Sequence, residues 1–561
     1  MPTQGPERGY QAAGRGGVAC GGPLWRRSDV WALLALTSFG VATALLLGVH
    51  GEFPISDDWA YEKATRAFLE TGRIERIERT WVPLVTNTLL GSGFAAVFGL
   101  SFEALRLSNL FAAWTLLLAS YALLRELGGT PRQACFGAAL VAWNPITLVL
   151  AFTYMSDVVF TACVAACLAL CVRALRRDRP ALLAAGLAVA LAASLSRHFG
   201  LALLVAIPAV ALLGRRPLAL RATALGGAVA MGAGFLLALA TFFGGADTGR
   251  MAGAAQVLQE LREPWLGHKI ARNGLAVLCY VGVFLAPAAL WRRPPPRGGL
   301  LALACAGLSA VLLAAVSTTR LRMPFVVDIV NPSWFGWITL AGAESLEPAS
   351  PLWWWAVAAL GLTAGLYLAT ATGLALWRER AGLSSDPRLL LLAFPAVYLG
   401  VLALRWPFFD RYLVPLLPPL VGLALLPGPP RGSRAAARAL GVAGLLMLAG
   451  LGIAGTRDNL THHRERWVLL APLLERGVSP RCIDGGSELA GWLAYDPARR
   501  YAARRFVHDD AWLLTLGPPR EGYEVEASRT YQRLLPWRRE RILLLRRTAP
   551  PCSEKAEPAY R

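Results

Sequence analysis

Two adjacent carboxylates directly beyond the first long apolar segment are the clearest candidates for chemistry in this sequence. Residues 51–61 read Gly-Glu-Phe-Pro-Ile-Ser-Asp-Asp-Trp-Ala-Tyr, with Asp57 and Asp58 side by side. Next to lipid headgroups an ionised carboxylate is partly desolvated, and it can act as a base or bind a divalent cation through oxygen. The alternative is structural. Ser56 or Asp57 would cap a helix from about 58 to 71, and the second acid would favour the helix dipole.

A third acid, Asp157, stands alone in the strongly apolar stretch Thr-Tyr-Met-Ser-Asp-Val-Val-Phe at 153–160. Ser156 or Asp157 could simply cap the helix that follows. The chain topology derived below, however, places Asp157 on the same side of the membrane as the aspartate pair and at about the same depth. We therefore predict that the three carboxylates converge on one external cavity. Asp57 and Asp157 would be the ligands of a divalent metal ion if the chemistry uses one.

Basic side chains at the outer ends of apolar segments are candidate partners for an anion. A guanidinium can bind a lipid phosphate through two parallel hydrogen bonds. The alternative for each is an ordinary interface anchor or an ion pair, such as that of Glu103 with Arg106. The candidates for donor phosphate binding are Arg106, Arg197, Arg405 and Arg411.

The composition shows what must position these residues. The chain has 561 residues, of which 55% are hydrophobic and 16% charged, and its mean hydropathy is +0.46. These values are typical of an integral membrane protein and exclude a soluble enzyme, a disordered chain and a coiled coil. The net charge of +20 comes largely from short arginine clusters between apolar runs. Such clusters are topology signals rather than a nucleic-acid footprint, and we predict no nucleic-acid partner.

Apolar runs predict about thirteen membrane spans with the N-terminus in the cytosol and the C-terminus outside. Every second connection is then basic and cytosolic, and segment 81–100 is a shallow helix within the first external loop, 50–103. This topology predicts a disordered cytosolic leader over 1–28, a membrane domain over 29–455 and an extracytoplasmic domain over 456–561. The predicted spans are 30–49, 104–124, 134–153, 157–174, 180–196, 199–214, 221–243, 273–291, 299–317, 352–377, 388–404, 412–427 and 438–455.

The region after the last span has the pattern of a small α/β domain. A helix is predicted near 464–476, and a pair of strands at 523–531 and 541–547. Cys482 and Cys552 both lie in this region, and a disulfide between them requires that it be outside the cytosol. Elsewhere the cysteines lack the spacing of a zinc site. Cysteines at 163, 167 and 171 share one helical face, where small residues packing against a neighbouring helix are the better explanation.

Several short motifs, taken in their order and on their predicted sides of the membrane, resemble glycosyltransferase family 39 and its relatives. That group includes protein O-mannosyltransferases and the lipid A aminoarabinose transferase. The resemblance is strongest over 50–200, and it implies the GT-C fold of multi-span membrane glycosyltransferases. It rests on Ser-Asp-Asp-Trp-Ala-Tyr at 56–61, Leu-Ser-Phe-Glu-Ala-Leu-Arg-Leu at 100–107, Tyr-Met-Ser-Asp at 154–157 and Asp-Arg-Tyr-Leu at 410–413 followed by prolines.

The resemblance also implies roles for individual residues. Asp57 matches the first acid of the family's acidic pair, whose role is general base toward the acceptor hydroxyl, and Asp58 stands where many members have glutamate. Asp157 matches the acid of the second external loop, which positions acceptor or metal. Arg106 matches an arginine associated with the donor phosphate. Residues 482–495 resemble a stretch found after the last span in bacterial members.

The implied reaction is displacement at a sugar anomeric carbon with polyprenyl phosphate as the leaving group. It needs a base for the incoming hydroxyl, cationic groups for the departing phosphate and a groove at membrane level for the isoprenoid tail. A single direct displacement inverts the anomeric centre. The acceptor would be a lipid, a glycan or a protein, and the location the cell (inner) membrane. The alternatives are a transporter or flippase of a lipid-linked saccharide and a noncatalytic scaffold, although transporters usually place ionisable residues near the midplane.

Overall fold

The computed structural model describes residues 26–74, 82–214, 216–243, 262, 264–291, 297–317, 328–348, 350–378, 386–403, 408–425, 435–495, 509–548 and 552. Nearly all of the predicted leader therefore lies outside the described residues, and the first helix begins at Arg27. Arg405 also lies outside them.

The described chain is mostly helical and ends in a small sheet. The α-helices are α1 (Arg27–Leu47), α2 (Asp58–Thr71), α3 (Val85–Phe98), α4 (Phe102–Glu126), α5 (Pro131–Ala142), α6 (Pro145–Ala151), α7 (Ser156–Arg177), α8 (Pro180–Ser196), α9 (Leu201–Leu213), α10 (Leu218–Phe243), α11 (Leu266–Trp291), α12 (Gly298–Ser317), α13 (Pro351–Arg378), α14 (Leu389–Ala403), α15 (Leu417–Leu425), α16 (Ala435–Glu475) and α17 (Ser487–Leu493). The strands are β1 (Ile483–Asp484), β2 (Trp512–Thr515), β3 (Tyr523–Leu534) and β4 (Trp537–Arg547).

Eight of the described helices are long and apolar enough to cross a membrane: α1, α4, α7, α10, α11, α12, α13 and α16. A ninth span exists if α5 and α6 count as one, but the two are bent by 65°. The bend has a local cause. Pro145 opens α6 without a backbone N–H to continue α5, and the Asn144 side chain accepts a hydrogen bond from the Ile146 N–H at 3.0 Å. The chain is therefore a multi-pass membrane protein.

The remaining predicted spans are helical but short. Segments 180–196, 199–214 and 388–404 form α8, α9 and α14, and segment 412–427 forms a 3₁₀-helix, Asp410–Leu416, that continues into α15. The 17 residues of α8 rise only about 26 Å, less than the roughly 30 Å of a hydrocarbon core. Segment 81–100 contains α3, which has 14 residues. The count of thirteen crossings stays a prediction.

Three ion pairs connect helix ends that the topology assigns to the cytosolic side. Each joins an acid near one helix terminus to an arginine of another connection, which gathers these connections at one end of the bundle. The N–O distances are 2.7 Å for Arg125 with Asp29, 3.8 Å for Arg173 with Glu126 and 3.7 Å for Arg216 with Asp178.

The buried helix α7 packs against α4 and α8. At the α8 interface Cys171 faces Gly186, where a methyl group would come within 2.5 Å of the Cys171 sulfur. This close approach agrees with the interpretation of the cysteine face as a packing surface.

The long helix α16 joins the membrane region to the C-terminal sheet without a linker. It has 41 residues and runs through the predicted boundary at 455/456, and the helix predicted at 464–476 is its last part. The predicted strand pair is confirmed as the antiparallel hairpin of β3 and β4, within a sheet of order β1-β2-β4-β3.

The hairpin docks on the side of α16. Asp458 accepts hydrogen bonds from the Leu534 N–H at 2.8 Å and the Leu535 N–H at 2.7 Å. A disulfide joins Cys482 to Cys552, with their Cα atoms 6.0 Å apart. One continuous hydrophobic cluster includes residues of the membrane helices, the first loop and the C-terminal region. The sheet is therefore packed onto the bundle rather than tethered to it.

Candidate active site

Asp57 occupies the N-cap position of α2, but its side chain makes no capping hydrogen bond. Helix α2 spans Asp58–Thr71, the range expected from the sequence. The Asp57 carboxylate is 36% exposed, and its Oδ2 lies 4.0 Å from Arg411 Nη2. The side chain is thus directed toward a guanidinium rather than toward the helix N–H groups, and it remains accessible.

Asp157 lies in the first turn of α7, whose N-cap is Met155. Its side chain is fully buried and pairs through Oδ1 with Arg197 Nη1. Its Oδ2 is buried without a hydrogen-bond partner. One oxygen of the Asp157 carboxylate is therefore bound by Arg197, and the other is free to accept a hydrogen bond.

Arg197 connects α8 to the 3₁₀-helix His198–Gly200 and is buried. Its guanidinium carbon lies 5.4 Å from the centre of the Tyr412 ring. The Tyr412 ring and the Asp157 carboxylate therefore hold the Arg197 cation in a place with little water.

Arg411 is the second residue of the 3₁₀-helix Asp410–Leu416 that leads into α15, and its side chain is 9% exposed. Nε lies 3.4 Å from Asp328 Oδ2, whereas Nη1 is buried without a hydrogen-bond partner. Burial opposes the charge on this guanidinium, but the carboxylates of Asp328, Asp157 and Asp57 outweigh it and raise the pKa of Arg411. Arg411 therefore stays protonated and has a donor to spare.

Asp328 was not among the predicted site residues. Trp337 Nε1 donates to its Oδ1 at 3.1 Å, and burial raises the pKa of its carboxyl, a change that Arg411 opposes. The available signal was an acid in an otherwise apolar stretch of a connection predicted to be external. Its pairing with Arg411 depends on tertiary packing that this signal does not contain.

Tyr61 marks the point on which these charges converge. Its side chain is buried on α2, and Arg197, Asp57, Arg411 and Asp157 all act on its hydroxyl electrostatically. Burial is the largest influence and raises the pKa of Tyr61, so the hydroxyl is neutral near pH 7. Residues from four separate connections, all predicted to be external, therefore lie around one tyrosine.

Asp58 lies apart from this group. It is fully buried and accepts hydrogen bonds from the Tyr154 N–H at 3.0 Å and the Ile55 N–H at 3.4 Å. Burial raises the pKa of Asp58 to about 7, against the opposing charge of Arg106. The structure thus makes Asp58 a link between the first loop and the turn before α7, with no exposed surface for substrate.

Arg106 holds the first loop in place. It is fully buried, and Nη1 donates to the Val49 carbonyl at 3.1 Å and to the Gly51 carbonyl at 2.7 Å, while Nη2 donates to the Phe53 carbonyl. These contacts tie both terminal nitrogens to the first loop, while Nε is buried without a hydrogen-bond partner. The structure gives Arg106 a positioning role in the first loop, and its contact with the donor phosphate stays a prediction.

The residues present do not fit a divalent metal ion. Among the described residues, no group of three or more His, Cys, Asp or Glu side chains is arranged to hold one. The two proposed ligands face guanidinium groups instead, Asp157 pairing with Arg197 and Asp57 facing Arg411.

Comparison with protein families agrees with the resemblance seen in the sequence. Residues 82–238 match the family described as dolichyl-phosphate-mannose-protein mannosyltransferase. The predicted resemblance is thereby confirmed over a segment that contains Asp157 and Arg197. No curated protein matches the chain significantly.

Several solved structures are similar over much of the chain. The oligosaccharyltransferase AglB from Archaeoglobus fulgidus, in complex with an inhibitory peptide and a dolichol-phosphate, is 16% identical with a TM-score of 0.44 and covers 80% of this chain. The present chain spans 58% of the length of that enzyme. ArnT from Cupriavidus metallidurans, bound to undecaprenyl phosphate, is 14% identical with a TM-score of 0.42 and covers 92% of this chain and 98% of its own. Arabinosyltransferase EmbB from Mycobacterium smegmatis is 15% identical with a TM-score of 0.34, over 78% and 41% of the two chains.

Proposed function

We propose that this protein is an integral membrane glycosyltransferase that moves a sugar from a polyprenyl-phosphate donor to an acceptor on the extracytoplasmic side, with inversion. The observation that carries this proposal is the pairing of Asp57 with Arg411 and of Asp157 with Arg197, two ion pairs whose charges all act on Tyr61. It places a carboxylate that is 36% exposed close to buried guanidiniums, which supplies a base for the acceptor hydroxyl and cations for the phosphate.

Asp57 is the candidate base. Its carboxylate is the accessible one of the three predicted acids, since Asp58 and Asp157 are fully buried. A base must reach the acceptor hydroxyl and take its proton as the new glycosidic bond forms, so its oxygens must not be occupied by hydrogen bonds to its own helix. Asp57 meets the last condition because no capping bond restrains its side chain.

Arg197 and Arg411 are the candidate groups for the leaving phosphate. As the anomeric C–O bond breaks, its electron pair passes to the polyprenyl phosphate oxygen, where negative charge accumulates. Preformed donors in a site with little water stabilise that charge without reorganisation. The unpartnered Nη1 of Arg411 is such a donor, and Asp328 and Asp157 hold the two guanidiniums in position.

The external location of the reaction is supported by the C-terminal disulfide. Cys482 and Cys552 form a disulfide, and such bonds persist outside the cytosol. The disulfide flanks the sheet, which docks on the part of α16 that also contacts the outer end of α1, where Arg464 donates to the carbonyl oxygens of Leu47 and Gly48 at 3.2 and 3.1 Å. With the basic connections at the opposite end, this arrangement favours a C-terminus outside the inner membrane.

The test is release of polyprenyl phosphate by the purified full-length protein in proteoliposomes. Undecaprenyl-phosphate pentoses and hexoses are supplied with a cell-envelope extract as the source of acceptor. Asp57→Asn should lower the release rate by about 10²- to 10⁴-fold, the usual effect of losing a base. NMR of the product should show the anomeric configuration opposite to that of the donor.

A matched control is Asp178→Asn, which makes the same change at the other end of the bundle. Asp178 is 50% exposed and has a left-handed backbone that asparagine tolerates. It should leave release unchanged. Undiminished release by Asp57→Asn would remove Asp57 as the base, and movement of labelled lipid between leaflets without glycosidic bond formation would instead identify a transporter.

A further inference from the structure

The short helix α17 of the C-terminal region lies directly against α2, which carries Asp57 at its start. Gly491 faces the Trp59 indole so closely that a methyl group there would come within 2.3 Å of a ring carbon. The Trp59 ring also contacts Tyr495, with ring centres 5.5 Å apart, and Phe102 meets Trp492 edge-on at 5.2 Å. These contacts fix the distance between α17 and the aspartate-bearing segment.

One acid of α17 reaches the residue that precedes Asp57. Glu488 Oε1 accepts a hydrogen bond from the Ser56 N–H at 3.3 Å. Its other oxygen accepts from Arg466 Nη1 and Nη2 at 3.0 and 3.1 Å and from the Thr339 hydroxyl. The Glu488 and Arg466 side chains are both 0% exposed. The two carboxylate oxygens thus have separate roles: one is bound by α16 and the 328–348 segment, and the other holds the first loop.

The hydrogen bond from the Ser56 N–H to Glu488 lies at a strained point of the backbone. Ser56 has a φ of +56°, in the left-handed region that a non-glycine residue rarely adopts. Such a conformation persists only where the surroundings hold it. Because Ser56 directly precedes Asp57, the conformation of Ser56 sets the direction in which the Asp57 carboxylate points.

We propose that Glu488, held by Arg466, is a positioning residue that orients Asp57, so that the C-terminal region forms part of the active site. This inference rests on the proposed function, in which Asp57 is the base. The segment 482–495 then supports the first loop, and its glycines allow neighbouring side chains to approach closely. Gly486, for example, has a φ of +90° and lies where a methyl group would come within 2.8 Å of Arg466.

The test is Glu488→Gln in the full-length protein, measured with whichever undecaprenyl-phosphate sugar the wild type turns over. The amide keeps the size of the side chain but presents N–H groups to Arg466, so the side chain must turn and release Ser56. We expect kcat to fall about 10- to 100-fold, the scale of a misplaced reacting group. KM for the donor should stay within about twofold, because Arg197 and Arg411 are untouched.

Glu540→Gln is the matched control, since it disrupts another ion pair of the same region. Glu540 Oε1 lies 3.2 Å from Arg533 Nη1, with side chains 10% and 3% exposed, on the hairpin rather than on α17. Its kcat should match the wild type. Equal losses in both variants, or a kcat for Glu488→Gln within twofold of the wild type, would overturn the proposal.

Hydrogen–deuterium exchange of the peptide covering 53–61 separates this inference from the proposed function, because it needs no substrate. Exchange at this peptide should be faster in Glu488→Gln than in either the wild type or Glu540→Gln. Unchanged exchange would overturn the positioning role even if the protein is a glycosyltransferase. Faster exchange in a protein without any release activity would support the positioning role of Glu488 and reject the proposed glycosyltransferase function.

Discussion

The Arg411 guanidinium lies between two carboxylates, with Nε 3.4 Å from Asp328 Oδ2 and Nη2 4.0 Å from Asp57 Oδ2. The shorter contact is to a buried acid and the longer one to an accessible acid. Asp328 therefore anchors the arginine, while the side of the guanidinium that faces Asp57 stays available to a ligand. This division of contacts requires the planar, forked shape of arginine.

Replacing Arg411 with lysine should lower kcat/KM for the lipid donor by about 10- to 100-fold, because one ammonium group cannot hold Asp328 and bind a phosphate in the forked geometry. Initial rates across donor concentrations measure the effect. Arg476→Lys is the control. Arg476 is 53% exposed and lies 3.5 Å from Glu526 in the C-terminal region. A kcat/KM for Arg411→Lys within twofold of the wild type would contradict this assignment.

For the buried pair of Asp157 and Arg197, the contribution to stability can be measured separately from the contribution to catalysis. Asp157→Asn leaves Arg197 buried without its counter-charge, which should cost about 3–5 kcal/mol of unfolding free energy. Adding Arg197→Gln removes the unpaired charge and should restore much of that loss, as thermal unfolding will show.

Activity should not return in the same double variant, because the cation for the leaving phosphate is gone. Release of polyprenyl phosphate measures the activity of the double variant. A double variant that regained both stability and turnover would show that the pair is only structural.

A shared end of the bundle was the part of the site that the sequence could predict. Connections alternate across a membrane, so the acids and arginines of the connections predicted to be external were expected at one end, and the structure pairs Asp57 with Arg411 and Asp157 with Arg197. Lateral position was not predictable in this way. Whether Arg106 points to the cavity or into the loop depends on the packing of α4 against that loop, which a span count does not contain.

The same distinction applies to the fold. Hydropathy located the apolar helices and β-branched and aromatic patterning located the hairpin of β3 and β4, because both are local signals. The continuity of α16 across the predicted boundary at 455/456 cannot be read from hydropathy, because a helix that leaves the membrane loses hydrophobicity just as a helix end does. The position of Glu488 is equally hidden from the sequence, because its partners Ser56, Thr339 and Arg466 come from three different elements.

Arg106→Lys and Arg106→Ala distinguish a loop-positioning residue from a phosphate ligand. Since the Arg106 guanidinium binds the carbonyls of Val49, Gly51 and Phe53, both variants should release the loop and speed hydrogen exchange over 49–53. Affinity for undecaprenyl phosphate, measured on the folded fraction, should change little. Retained affinity with lysine but a large loss with alanine, without faster exchange, would instead identify a phosphate ligand.

Asp58 should make the protein less stable as the pH rises toward neutrality. Burial raises its folded-state pKa to about 7, whereas an unfolded aspartate titrates near 3.9. The folded state then binds the proton more tightly, so its contribution is full below about pH 4, falls between about pH 4 and 7 and is constant above. Asp58→Asn should remove this slope.

The measurement for Asp58 is the difference in thermal stability between the wild type and Asp58→Asn at several pH values from 5 to 8. Taking the difference cancels the other titrating groups that the two proteins share. The wild type should lose stability relative to the variant as the pH increases to about 7. A constant difference over this range would mean that Asp58 stays ionised in the folded protein.

Single cysteines report the side of the membrane on which the two ends of the bundle lie. Glu521 is exposed beside the sheet, and Arg177 is exposed at the end of α7 where the basic connections gather. In intact cells whose outer barrier has been made permeable, a membrane-impermeant maleimide should label Glu521→Cys above the background of the parent protein. Arg177→Cys should react only after the inner membrane is opened. The opposite pattern would place the site of Asp57 and Arg411 in the cytosol, because the first loop is hydrogen-bonded to Arg464 of α16, on which the sheet docks, and to Glu488 of α17.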